Sequence, residues 1–101
     1  MKRIVLVCAA GMSTTLLVNE MNLAAKKNTI DVEILALPAN KLSDYTKEID
    51  VLLLGPQIEF MLNKFKKKYE KRKMKIAAID SMTYGLMDGD AVLRQALSMM
   101  I

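Results

Sequence analysis

Histidine and tryptophan are absent from the 101-residue chain, cysteine occurs once, proline twice and glycine four times. Each shortage excludes something. Without histidine the commonest general base is missing, as are histidine-rich zinc sites. Any phosphohistidine in this protein's chemistry must therefore sit on another chain. Aromatic residues make up 5% of the sequence, too few for a base-stacking platform on nucleic acid. A single cysteine allows no internal disulfide, in keeping with a reducing cytoplasm. No run approaches the roughly 20 consecutive apolar residues of a membrane span. Met1-Lys2-Arg3-Ile4-Val5-Leu6-Val7 has the charged-then-apolar order of a signal peptide. Its apolar run is too short for one, and Gly11-Met12-Ser13-Thr14-Thr15 reads as a turn into a helix.

Hydrophobic residues make up 52% of the chain, enough for a core, and the length suits one domain over residues 1–101. The net charge of +4 is unevenly distributed. Between Lys64 and Lys75 stand eight basic residues against one acid, Glu70, a local +7 that leaves the remainder at −3. One segment is basic; the protein as a whole is not.

Short apolar runs alternate with helical stretches. Arg3 to Cys8 is apolar and rich in β-branched residues, as in a buried parallel strand. A helix is expected from about Ser13 to Lys27, with Leu17, Met21, Ala24 and Ala25 on one stripe and Lys26 and Lys27 favourable in the last turn. Asp31 to Leu37 reads as a second strand, suited to a sheet edge and ended by Pro38. A short helix follows from Ala39 to about Lys47. Val51 to Leu54 is a third strand, stopped by Gly55-Pro56. The pattern then predicts one long helix from Pro56 to about Lys71 that buries Ile58, Met61, Leu62 and Phe65. Lys75 to Ile79 is a fourth strand, Asp80 to Gly89 a loop, and Asp90 to Met100 a last helix that turns Val92, Leu93, Ala96 and Leu97 inward.

Such alternation implies right-handed crossovers and a four-stranded parallel α/β sheet, covered on both faces, in the flavodoxin-like order 2-1-3-4. Ligands of such sheets bind above the C-terminal ends of the strands flanking the switch point. Cys8 ends the first strand there, and Pro38, Asn40, Gly55, Pro56, Gln57, Asp80 and Ser81 would line the same edge.

The segment from Cys8 to Thr15 has the makings of a phosphate loop. Ala9, Ala10 and Gly11 are small, so backbone amides can approach an anion, while Ser13, Thr14 and Thr15 supply hydroxyl donors and an N-cap. The unsatisfied N–H groups of the following helix point at the site, and their field favours thiolate over thiol. A cysteine in an apolar strand is more often core than catalyst, but a core cysteine needs no anion cradle on its C-terminal side. A Walker A loop would require Gly-Lys-Ser/Thr, and a thioredoxin-like site a second cysteine where Gly11 stands. The nearest rival is the loop of low-molecular-weight cysteine phosphatases, where an arginine occupies the position of Thr14. Lys2 and Arg3 cannot replace it, because five strand residues place them about 17 Å away. Phosphoryl transfer depends on positioning and charge stabilisation. The loop is thus suited to bind a phosphoryl group and ill suited to let water attack it.

Three segments taken together, Cys8-x-x-Gly11-Met12-Ser13-Thr14, Leu53-Leu54-Gly55-Pro56-Gln57-Ile58 and Asp80-Ser81…Tyr84-Gly85…Asp88-Gly89, resemble the IIB component of bacterial sugar phosphotransferase systems, lactose/cellobiose family. The likeness spans essentially the whole chain. It implies a fold like that of the low-molecular-weight phosphatases. It also implies that Cys8 takes a phosphoryl group from a phosphohistidine of the IIA protein and passes it to a sugar held by the membrane permease IIC. The subunit would then be cytoplasmic and monomeric, without metal or organic cofactor and without nucleic acid as partner. Gln57, Asp80 and Ser81 are candidate neighbours of Cys8. Asp80, Asp88 and Asp90 invite a general-acid reading, but strand ends and helix caps account for them better. The lysine cluster should lie about 15–25 Å from Cys8, along a helix that descends from the active edge. Met12 and Leu16 are the expected docking contacts.

Overall fold

The computed structural model describes residues 1–8, 11–45 and 47–100, with backbone alone for Gly11, Met12 and Ser13. The expectations for Ala9 and Ala10 fall outside the described residues. Four strands, β1 (Lys2–Cys8), β2 (Val32–Pro38), β3 (Val51–Leu54) and β4 (Lys75–Ala78), form one all-parallel sheet in the order β2-β1-β3-β4. That is the expected order, with β2 at an edge. The register places Cys8 opposite Pro38, and Val7 opposite both Leu37 and Leu54.

Period-2 alternation sends the side chains of the two central strands to opposite faces, and both faces are covered. Ile4, Leu6, Val51 and Leu53 pack with Leu17, Met21, Val92, Leu93 and Ala96. These last five come from α1 (Gly11–Lys27) and α4 (Gly89–Met99). Val5, Val7, Leu52 and Leu54 pack on the other face with Leu42, Ile58, Phe65 and Tyr69. Each of these eight strand residues is 0% exposed. That explains why the strands read as unbroken apolar runs.

The single long helix expected from Pro56 to Lys71 does not form. A 3₁₀ segment, Pro56–Met61, is followed by a short α2 (Leu62–Lys68), and within the 3₁₀ segment Ile58 leaves helical geometry at φ −122°, ψ 22°. Ile58 is buried in the core, and its N–H reaches back three residues to the Gly55 carbonyl at 3.0 Å. A further turn of α2 past Lys68 would stack like charges four residues apart, Lys67 on Lys71 and Lys68 on Arg72. Instead Lys68 and Arg72 sit over the Tyr69 ring, 5.5 and 5.3 Å from its centroid. The short helix after β2 is likewise a 3₁₀ segment, Ala39–Asp44.

The expected loop from Asp80 to Gly89 contains α3 (Ser81–Gly85), a single turn too short to show a periodic stripe. The Asp80 carboxylate accepts the Thr83 N–H at 3.1 Å, and Asp88 caps α4 by accepting the Ala91 N–H at 3.1 Å. Both aspartates thus act as helix caps. Asp90 pairs instead with Arg94 one turn on.

Two backbone features close the α1–α4 layer. α1 ends in a Schellman arrangement: Ile30 N–H bonds the Ala25 carbonyl at 2.8 Å and Thr29 N–H the Lys26 carbonyl at 3.2 Å. The left-handed residue is Thr29, at φ 55°, a position that ordinarily takes glycine. At Gly89, a Cβ would stand 2.4 Å from the Glu20 carbonyl carbon and 2.6 Å from the Met21 nitrogen. α4 therefore starts in direct contact with the backbone of α1. Thr29→Gly should stabilise the protein by up to about 1 kcal/mol through relief of the left-handed β-branched residue. Gly89→Ala should destabilise it by about 3 kcal/mol, because backbone cannot yield to the new methyl. Urea unfolding of the two variants should show midpoint shifts of opposite sign; an unchanged midpoint for Gly89→Ala would contradict the packing described.

Candidate active site

β1 delivers Cys8 to the C-terminal edge of the sheet, where the side chain is 2% exposed. Only two residues separate it from α1, which begins at Gly11, two positions before the expected start. Ser13, Thr14 and Thr15 consequently lie inside the first turns of the helix instead of at its cap. The first-turn N–H groups of a helix have no intrahelical acceptor and carry the positive end of its dipole. The chain from Cys8 into α1 thus brings a nucleophilic atom type and an anion-attracting helix start together.

The second wall comes from the end of β3. Gly55 N–H continues the parallel ladder by donating to the Val7 carbonyl at 2.8 Å, and so lies directly beside Cys8. A methyl group on Gly55 would be 3.3 Å from Cys8 Cβ, 2.9 Å from Gln57 Oε1 and 3.5 Å from the Val7 carbonyl oxygen. Glycine suits this position because an added methyl would press on Cys8 Cβ and displace the Gln57 amide. Gln57 therefore folds back over Gly55 toward Cys8. Of the three candidate neighbours, it is the one the structure brings to the cysteine.

Asp80 and Ser81 share the edge but belong to the end of β4, which pairs with β3 and not with β1. Two strand spacings put them about 10 Å to the side of Cys8. Asp80 uses its carboxylate on Thr83 N–H, while its carbonyl accepts the Thr83 hydroxyl at 3.0 Å. Ser81 is the exposed first residue of α3.

Sequence reasoning missed how the start of α1 is tied down. Thr14 is 0% exposed, and its hydroxyl lies 3.2 Å from the hydroxyl of Tyr84, which is itself buried in α3. The position that holds arginine in the phosphatase loops is thus a threonine turned toward a tyrosine. The sequence signal was the pairing of a hydroxyl-rich loop with the sole tyrosine of the Asp80–Gly89 segment. The basic residues at the start of β1 and in the turn before β4 lie far from Cys8. Arg3 donates from Nε to Glu33 at 3.1 Å, and this hydrogen bond holds its guanidinium even more firmly charged than usual. Lys75 faces Val51, and Val51 faces Ile4, so the basic turn before β4 lies at the sheet end opposite Cys8.

Gly55→Ala should keep the fold and lose about 1–2 kcal/mol of stability as Gln57 and Cys8 give way. Its Cys8 should react with iodoacetamide at an altered rate under native conditions. A rate and unfolding midpoint both equal to wild type would show that Gly55 does not confine Cys8.

Comparison with known proteins agrees with this geometry. The family model described as PTS system, Lactose/Cellobiose specific IIB subunit, matches residues 3–95. The chain is 37% identical over 101 residues to an oligo-beta-mannoside-specific EIIB component of Bacillus subtilis (strain 168), covering 100% of this chain and 98% of that one. It is 42% identical over 104 residues to a galactose-specific EIIB component of Lactococcus lactis subsp. cremoris, covering 98% and 96%. The fold matches the lactose-specific IIB domain from Streptococcus pneumoniae with a TM-score of 0.86 at 20% identity, over 96% of this chain and 95% of that one.

Proposed function

The chain belongs to the lactose/cellobiose-specific IIB family of sugar phosphotransferase systems, and on that premise we propose that Cys8 is its phosphocysteine relay point. In the first step the thiolate attacks the phosphorus of a IIA phosphohistidine. The S–P bond forms as the N–P bond breaks, and the imidazole keeps the displaced electron pair. In the second step a hydroxyl of the sugar bound by IIC attacks the same phosphorus. An O–P bond forms, the thiolate leaves, and the hydroxyl proton passes to a base or to water. This is phosphotransferase chemistry run in the cytoplasm beside a permease, and it needs no cofactor from this chain.

The observation that carries the reading is the setting of Cys8. The lone cysteine ends the central strand β1, with two residues between it and a helix start, and stands directly against Gly55. Backbone amides of the Ala9–Ser13 stretch and the hydroxyl of Thr15 are the proposed phosphoryl ligands, with the Gln57 amide beside them. Met12, Ser13 and Thr14 belong to the first turns of α1 at the same site, Thr14 as a brace against Tyr84. The burial of Cys8 limits access of bulk water to the S–P bond, and no arginine of the loop stabilises hydrolysis. Both features suit a carrier better than a phosphatase. The expected sugar is a β-linked disaccharide or oligosaccharide such as cellobiose, lactose or chitobiose, selected by the permease.

Incubated with phosphorylated IIA, the wild-type chain should gain one phosphate, located on Cys8 by mass spectrometry. Cys8→Ser should gain less than about 1% as much in the same time, since an alcohol at neutral pH lacks the thiolate's nucleophilicity. Equal labelling of the serine variant would overturn the assignment. Hydrolysis of p-nitrophenyl phosphate should stay at background; Cys8-dependent turnover would favour the phosphatase reading.

A further inference from the structure

Large apolar side chains left in water are concentrated on segments that follow strand ends at the Cys8 edge. Leu16 (58% exposed) follows β1 in α1, Phe60 (80%) follows β3, and Met82 (71%), on α3, and Leu86 (72%), at its C-cap, follow β4. Met82 and Leu86 are four residues apart, and so share one face of the turn. Tyr84 lies between them on the opposite, buried face and reaches Thr14, two residues before Leu16. The apolar residues of α1 and α3 therefore flank a single buried tie. An exposed apolar collar around a reaction site marks a protein interface.

The charge around the collar is mainly negative. Residues 4–25, 48–63 and 76–93, which include the segments leaving β1, β3 and β4, contain no lysine or arginine. Glu59, beside Phe60, and Asp80, beside Ser81, are exposed at this edge. Lys41, in the 3₁₀ segment after β2, is the one cation to follow a strand end closely. The far pole is richer in cations than in acids. Lys2, Lys47, Arg72 and Lys73, together with Glu48 and Asp50, line a groove of about 610 Å³ there, and Lys26 and Lys27 stand in the last turn of α1. The molecule is thus electrically polar along the strands, apolar and acidic at Cys8 and basic opposite. A phosphoryl group on Cys8 would deepen the contrast.

We propose that the collar of Leu16, Phe60, Met82 and Leu86, with Glu59 and Asp80 beside it, is the surface by which this chain docks on the cytoplasmic face of its permease. The inference rests on the relay reading and adds the surface and the chemistry of its partner. Cytoplasmic loops of membrane proteins carry an excess of lysine and arginine, which complements this edge and not the basic pole. Anionic lipid alone would attract the pole and turn Cys8 away from the membrane. Contact with the permease must therefore override that tendency, and the collar supplies the apolar area to do so.

The test uses the full chain, phosphorylated to completion with excess IIA, and permease-containing inverted vesicles with their sugar. The double variant Met82→Ser/Leu86→Ser should raise the KM of the permease for the phosphorylated chain by about tenfold or more, with kcat within about twofold. Glu59→Lys should raise KM severalfold at low salt, and the difference should shrink at high salt. Lys71→Glu/Lys73→Glu, at the far pole, should not raise it. Unchanged KM in the collar and Glu59 variants, or an increase confined to the pole variant, would overturn the proposal. Failure of the wild-type chain to transfer phosphate at all would count against the relay reading itself.

Discussion

The site depends on the contact between Gly55 and Cys8. Parallel pairing of β1 with β3 carries the Gly55 N–H to the Val7 carbonyl. The absence of a side chain at Gly55 then leaves room for Cys8 Cβ beside the neighbouring strand end. Any other residue would push on Cys8, on Gln57 or on both. The same ladder fixes the height of Cys8 relative to Pro38 on its other side. Under the proposed relay, a side chain that must meet a phosphorus atom at a defined angle would thus be placed by backbone hydrogen bonds, which are harder to displace than side-chain packing.

Around this contact several polar braces join the described elements. Thr14 and Tyr84 join α1 to α3 through one buried hydroxyl pair. Asp80 and Asp88 cap the two helices that follow β4. Gly89 lets α4 rest on the backbone of α1. These braces hold the start of α1 in position, and the helix start in turn offers N–H groups to an anion. Charged side chains take little part near Cys8. That restraint is chemically apt, because fixed cations around a phosphoryl group would also stabilise its attack by water.

Much of this could be read from the residues. The four strands were recognisable because burial on both faces produces unbroken apolar runs, and their order followed from alternation with helices. α1 and α4 showed their stripes, and Asp88 its cap. What escaped detection had short or conflicting signals. Pro56 to Lys71 carries helical spacing throughout, yet buried Ile58 and a run of like charges divide it. α3 is one turn long, below the reach of periodicity. Gly55 read as a strand stop; its role beside Cys8 requires the register of β1 and β3. Thr14 was identified by what it replaces, whereas its hydroxyl partner lies 70 residues away, a distance no local pattern spans.

The central claim is that phosphate on Cys8 moves to sugar and not to water. The most direct measurement follows radiolabelled phosphate from isolated, Cys8-phosphorylated chain mixed with permease vesicles and a β-linked disaccharide. The account predicts that label appears on the sugar in proportion to its loss from the protein, and that the label stays on Cys8 when permease or sugar is omitted. Release of the label as inorganic phosphate at the same rate with or without permease would contradict it.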